Sequence, residues 1–312
     1  MTHTFDKNFL GTNFGFEDNK FYVEYQSCDR PVGNLREEFN LRAVALYENR
    51  PKLMLGLSSG LDSQAVMHSF FTQGMKIDCA FLYHPGYNDF EYNNLKILEK
   101  KYGFKALLVE IDPMKCKDEV MDLHNKLNLP PYQIIHRKFL SMLPKDVDIV
   151  QGIHGPDFYF NGQWHCFETA NSFELSRLRA FQTLEERTGE VIGWERTSEI
   201  MLSLLTDDVV TSFMYSYPYI SKNGLVYESG KPIPVIDYWD LYIKPYVYGK
   251  YWKDELEYFP KYQGAEGIDY IMNGPRNEYK KNMISIPYND LVNHLSSKTK
   301  KVVRYYQRPN PT

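Results

Sequence analysis

The sequence predicts an α/β fold: a Rossmann-like parallel sheet followed by a mainly helical C-terminal domain. Three observations predict it. Short apolar runs alternate with amphipathic helical patterns from residue 35 to residue 152, the signature of βαβ units. The apolar run at residues 53–57 passes through a Ser/Gly turn directly into a helical pattern. Beyond Phe167 the strand-like runs give way to helical spacing and then to a stretch rich in Tyr, Pro and Gly.

The elements follow in order. Residues 9–26 alternate aromatic and polar positions around Glu17-Asp-Asn-Lys20, which reads as a β-hairpin. Asn34 caps a helix over residues 35–47. Strands are expected at 53–57, 77–83, 105–111 and 148–152, separated by helical patterns beginning at Asp62, at Asp89, near Val120 and at His136. Their carboxyl ends, at 58–63, 83–87, 112–114 and 152–157, converge on one crevice, where such sheets bind ligands. In the second half, residues 173–184 and 197–206 read as helices, and a helix beginning near Val235 is interrupted by Pro245. Three segments result: a hairpin extension (1–33), an α/β ligand-binding domain (34–165) and a helical substrate domain (166–312).

Composition narrows the functional classes. A content of 43% hydrophobic and 24% charged residues in 312 is that of an ordinary globular chain. A net charge of −4 argues against a surface built wholly for nucleic acid. The first residues have no apolar signal core and no run reaches membrane-spanning length, so a cytoplasmic protein is expected. Cys28, Cys79, Cys116 and Cys166 are too scattered for a zinc site or a redox dithiol.

Chemistry concentrates at Ser58-Ser-Gly-Leu-Asp-Ser63. A strand, a loop of small residues and a helix N-terminus together offer backbone N–H groups and a positive dipole end to a phosphate. Gly60 permits close approach of an anion, and Ser58, Ser59 and Ser63 add hydroxyls. Asp62 supplies oxygen ligands suited to Mg²⁺. Neither the lysine-bearing P-loop nor the G-x-G-x-x-G fingerprint is present.

The Ser58–Ser63 stretch resembles the S-G-G-x-D-S signature of the ATP-pyrophosphatase (PP-loop) superfamily, with Ser59 in place of the usual Gly. Within it the chain looks most like the synthetase domain of asparagine synthetases. The preceding helix, the Gly-Leu-Asp-Ser form and an acidic loop at Gly152-Ile-His-Gly-Pro-Asp157 carry that likeness. The family's glutaminase half is missing, and Thr2 stands where its nucleophilic Cys would follow Met1.

The resemblance implies a HUP-type core, ATP and Mg²⁺ as cosubstrate and cofactor, and an AMP- and pyrophosphate-forming ligase. It would adenylate a carboxylate or carbonyl of a small molecule or amino acid. Ammonia or an amine, from solution or from a partner, would then displace AMP. The same resemblance assigns Leu57, Ser58, Ser59, Gly60, Leu61, Asp62 and Ser63 to ATP and pyrophosphate, with Asp62 and Ser63 catalytic. Asp62 and Asp157 would hold the metal, although Asp157 also reads as a turn aspartate and Phe158 replaces an expected Glu. Tyr83 and His84 would flank adenine or else simply cap a strand end. Gly152 and His154 would face the phosphates, with a turn histidine as the other reading of His154, and Lys261 or Arg276 would neutralise the leaving pyrophosphate or else be plain surface charge. Glu168, Glu174, Arg177 and Arg179 are candidates for an amino-acid substrate, with solvated helix charges as the other reading. A basic aromatic tail, Lys298 to Arg308, offers a contact to nucleic acid. The alternatives are therefore a PP-loop enzyme modifying tRNA or DNA bases and a non-catalytic nucleotide-binding protein.

Overall fold

A computed structural model describes residues 12–17, 20–127, 131–152, 157–160, 163–169, 187–194, 197–222, 233–234, 243–259, 283–299 and 301–306. Its centre is a five-stranded parallel sheet formed by β3 (Leu53–Gly56), β4 (Asp78–Tyr83), β5 (Ala106–Glu110), β6 (Asp148–Gln151) and β9 (Val191–Gly193). The spatial order is β5-β4-β3-β6-β9. The chain starts in the middle, runs outward to β5, then returns to the other side of β3. The strand order therefore reverses between β3 and β6, and a crevice opens there beyond their carboxyl ends.

Alternate side chains go to opposite faces, as a period of two requires. Leu53, Leu55, Cys79, Phe81, Val150 and Ile192 join one buried cluster with α1 (Leu35–Asn49), α2 (Leu61–Phe71) and α3 (Asp89–Tyr102). Met54, Ala80, Val109, Ile149 and Val191 join the other with α4 (Lys117–Leu127) and α5 (Pro131–Ser141). Burial on both faces explains why these strands read as continuous apolar runs. Helix α1 begins in a capping box: Asn34 accepts from the Glu37 amide and Glu37 accepts from the Asn34 amide. Helix α3 ends at Gly103, whose φ of 68° suits glycine.

The expected hairpin is present as β1 (Thr12–Glu17) and β2 (Lys20–Gln26). It gains a third strand from the other end of the chain, β12 (Val302–Tyr306), which pairs antiparallel with β2. Thus the basic tail is partly a sheet strand. Arg304 pairs with Glu24 and lies over the Tyr22 ring, 4.2 Å from its centroid.

Among its described residues the second half combines helices with strands. It contains α6 (Ser198–Leu205), capped by Thr197, α7 (Asp208–Lys222), α8 (Lys244–Trp252) and α9 (Tyr288–Leu295). It also contains a four-stranded antiparallel sheet of β7 (Asp157–Phe160), β8 (Trp164–Thr169), β10 (Ile233–Pro234) and β11 (Met283–Pro287). β7 and β8 form a local hairpin, Phe160 opposite Trp164, whereas β10 and β11 pair with strands far away in sequence, such as Ile286 with Cys166, and local pattern carries little trace of such short strands. Strand β8 spans the expected boundary at residue 165, and β9 completes the parallel sheet. Pro245 lies in the first turn of α8, where its missing N–H costs nothing. Helix α5 likewise starts at Pro131, ahead of the expected His136. The helices expected over 173–184 and from Val235 fall almost entirely outside the described residues.

The α6, α8 and α9 helices share the buried cluster of α1 and α2. Phe39 of α1 meets Trp194 and Trp252 edge-on, at centroid distances of 5.6 and 5.3 Å. Among the described residues no helix is long and apolar enough to cross a membrane.

Candidate functional site

The loop between β3 and α2 crosses the top of the sheet at its switch point. Leu57 is buried, and its amide extends the ladder by donating to the Ala80 carbonyl at 2.8 Å. Gly60 is the N-cap of α2, with φ −73° and ψ 159°, and no side chain caps the helix. The first intrahelical bond is Gln64 N–H to Gly60 C=O, so the Leu61, Asp62 and Ser63 amides are the ones left over at the helix start. Ser63 holds the loop in shape. Its hydroxyl contacts the Ser58 carbonyl, the Gly60 carbonyl at 3.0 Å and the Ser58 hydroxyl at 3.0 Å. Ser58 and Gly60 are exposed, whereas Ser59 and Ser63 are buried.

Ser59 does not have the strained backbone that its place in the motif threatened. Among the described residues Lys253 is the non-glycine with positive φ. The Ser59 carbonyl accepts from Gln64 Nε2 at 2.8 Å, and its side chain is buried rather than exposed to the crevice.

Gly152, at the end of β6, lies against the first turn of α2. A Cβ there would come within 2.9 Å of the Ser63 nitrogen and 3.0 Å of the Asp62 carbonyl carbon. Only a glycine lets β6 and the helix N-terminus meet this closely.

Asp62 is reached by two residues from α8 that no local motif marks. Lys244 Nζ forms an ion pair with Asp62 Oδ2, and Tyr248 OH donates to Oδ1 at 2.8 Å. The pair is largely buried, with side-chain exposures of 8% for Lys244 and 16% for Asp62. An ammonium ion on one oxygen and a hydroxyl on the other do not suit a divalent cation at this carboxylate. Among the described residues there is no metal-ligating group of three or more His, Cys, Asp or Glu. Asp157, the second expected ligand, is the first residue of β7.

The segment after α8 straps this arrangement to the loop helix. Gln64 bonds the Glu257 backbone twice, donating to its carbonyl and accepting from its amide, each at 2.8 Å. Glu255 takes a bidentate pair from Arg36 of α1 and a 2.7 Å contact from His68 Nε2 of α2. Burial holds the His68 imidazole below its ordinary pKa.

A cavity of about 330 Å³ lies beside the loop, bounded by Gly56–Ser58, the end of β4, the start of α3, α5 and the end of β6. His84 lines it and is buried. Its Nδ1 lies 2.7 Å from the Ile111 carbonyl, which can only accept, so Nδ1 carries the proton. Desolvation lowers the His84 pKa, so the ring is neutral and Nε2 is an acceptor. Gln151 and His136, 2.8 Å apart, form part of the cavity wall next to Gly56.

The structure therefore brings together Leu57, Ser58, Ser59, Gly60, Leu61, Asp62, Ser63, His84 and Gly152. Tyr83 does not line the cavity: its hydroxyl donates to Asp89 at 2.6 Å and its ring packs on Tyr92. His154, Lys261, Glu174, Arg177, Arg179 and Arg276 lie outside the described residues. Sequence reasoning missed Gln64, Glu91, His136, Gln151, Lys244 and Tyr248. Gln64 directly follows the motif and was within reach; Lys244 is separated from Asp62 by 182 positions and has no local signal.

No protein-family model matches this sequence, and no curated protein is detectably similar to it.

Proposed function

We propose that the chain is an ATP-pyrophosphatase of the PP-loop superfamily with a HUP-type core, acting as an AMP-forming ligase akin to asparagine synthetases. The observation that carries this reading is the meeting of three features at the switch point: the uncapped α2 N-terminus, the Ser58 and Ser63 hydroxyls, and the cavity beside them. The cavity takes the nucleoside, and the loop takes the polyphosphate. An acceptor carboxylate attacks the α-phosphorus, the bond to the β-phosphate breaks, and pyrophosphate leaves across the helix N-terminus. An amine or ammonia then attacks the acyl carbon and displaces AMP.

Such a displacement needs positioning and charge neutralisation rather than a side-chain nucleophile. Among the described residues the cation beside the loop is Lys244, held there by Asp62. Asp62 therefore serves as the anchor of that lysine, and no step is assigned to a metal on its carboxylate. The engaged Arg304 gives no support to a nucleic-acid substrate bound through the tail.

The products of ATP turnover test the reading. Phosphorus NMR of the chain incubated with Mg-ATP, ammonium and a mixture of amino acids should show AMP and pyrophosphate. Formation of ADP and phosphate would contradict it.

A further inference from the structure

Three successive carbonyls of the loop turn toward buried side chains of α2. Ser63 Oγ takes the carbonyls of Ser58 and Gly60, and Gln64 Nε2 takes that of Ser59 at 2.8 Å. A trans peptide points its N–H opposite to its C=O, so the amides of Ser59, Gly60 and Leu61 turn the other way. Successive N–H groups turned one way form an anion-binding concavity. The Gly60 amide lies 3.4 Å from the Ser58 hydroxyl, a long contact, and both residues are exposed.

Ser63 belongs to the motif; Gln64 does not. Gln64 is 1% exposed, and every polar atom of its side chain is committed. Nε2 donates to the Ser59 and Glu257 carbonyls, and Oε1 accepts from the Glu257 amide, each at 2.8 Å. Carbonyls only accept and the amide only donates, so the side chain cannot turn over without losing all three bonds. One residue thus grips a peptide of the loop and a peptide of the strap. The chain enters the strap at Lys253 with φ 47° and ψ −123°, a costly conformation for a non-glycine residue that persists only where the surroundings enforce it. Arg36 and Lys101 help to enforce it. Arg36 bonds the Tyr251 carbonyl and the Glu255 carboxylate, and Lys101 bonds the Glu255 carbonyl and the Glu257 carboxylate.

We propose that Gln64, clamped by the strap, is a positioning residue for the loop: it holds the Ser59–Gly60 peptide with its N–H toward the crevice, where a polyphosphate binds. Gly60 has no Cβ to stop this peptide from turning over, and the turned peptide would present a carbonyl oxygen to the anion. The Gln64 amide prevents that turn by keeping the Ser59 carbonyl on the buried side. The inference rests on the nucleotide-binding reading above and adds to it the residue that keeps the loop in its anion-binding form.

The test is titration calorimetry of the full chain with ATP and with AMP, which lacks the two phosphates that leave as pyrophosphate. Gln64→Met keeps the size of the side chain and removes all three hydrogen bonds. It should weaken ATP by about tenfold and leave AMP nearly unchanged, so the ratio of the two affinities falls. The double variant Arg36→Ala/Lys101→Ala touches neither the loop nor Gln64; it loosens the strap and should lower the same ratio by less. Both of its side chains are part-exposed, so it keeps the test open if Gln64→Met fails to fold. The ratio is the readout, since a purely structural role would weaken both nucleotides alike. A ratio unchanged in either folded variant overturns the inference and leaves the proposed function standing. A wild type that binds neither nucleotide, or binds ATP no better than AMP, overturns both.

Discussion

The two ends of the crevice are built in different ways. The loop end is one uninterrupted stretch, in which β3, the loop and the first turn of α2 supply nearly every group from Leu57 to Ser63. The cavity end is assembled from β4, α3, α5 and β6, so His84, Glu91, His136 and Gln151 meet only after the sheet has formed. The difference teaches that a backbone anion site is local, because consecutive amides at a helix start face one way. A side-chain site is a product of topology. Lys244 carries the second kind of construction into the first, since a lysine from the far half of the chain completes the loop.

Breaking that addition should have the largest effect. Lys244→Ala strands the largely buried Asp62 carboxylate and should cost about 3 kcal/mol of stability, read by denaturant unfolding. The double variant Lys244→Met/Asp62→Leu should recover most of that stability while ATP turnover stays lost. Recovery of both would show the pair to be structural only.

Next in size is Gly152→Ala. Its Cβ would press on the backbone of Asp62 and Ser63, which cannot swing aside, and should cost about 2 kcal/mol. Nucleotide affinity should fall with it, because the same helix start carries the amides. Unchanged affinity in calorimetry would separate the two ends of the crevice more than this account allows.

A smaller effect comes from pH. His68 and His84 are both held below their ordinary pKa of 6.5 by burial. The unfolded chain therefore binds more protons than the folded one on the acid side of that value. Their contribution to stability is complete above pH 6.5 and is lost as pH falls through the depressed folded values. Melting temperature should drop between pH 7 and pH 5, and His84→Gln should flatten the slope if the variant folds. A slope of the opposite sign would mean that these rings are charged in the native state.

The smallest effect is expected at the motif's departure from its family. Ser59→Gly should lower stability by less than about 1 kcal/mol, through added freedom in the unfolded chain. Ser59 has no positive φ to relieve. A clear stabilisation in thermal melts would reveal strain at this position.

The parallel core was legible because strands buried on both faces and amphipathic helices leave strong periods, and because Asn34, Gly60 and Gly103 punctuate the helices. The antiparallel sheet was not, since its strands are short and β10 and β11 join the β7–β8 hairpin from far away in sequence. Pro245 shows a related limit of local pattern: a proline marks a helix start as readily as a break, and only the neighbouring chain decides. At the site, Ser58 to Ser63 could be read directly, and Gly152 through the strand-end rule. Lys244, Tyr248 and Glu91 resemble ordinary helix residues until packing brings them to the crevice.

The central claim is that this crevice activates a carboxylate by releasing pyrophosphate from ATP. Exchange of labelled pyrophosphate into ATP measures that step alone, whatever the nitrogen donor. Screened across amino acids and other small carboxylates, the wild type should support exchange with at least one acceptor, and Lys244→Ala should not. A chain that binds ATP yet shows no exchange with any acceptor would contradict the account.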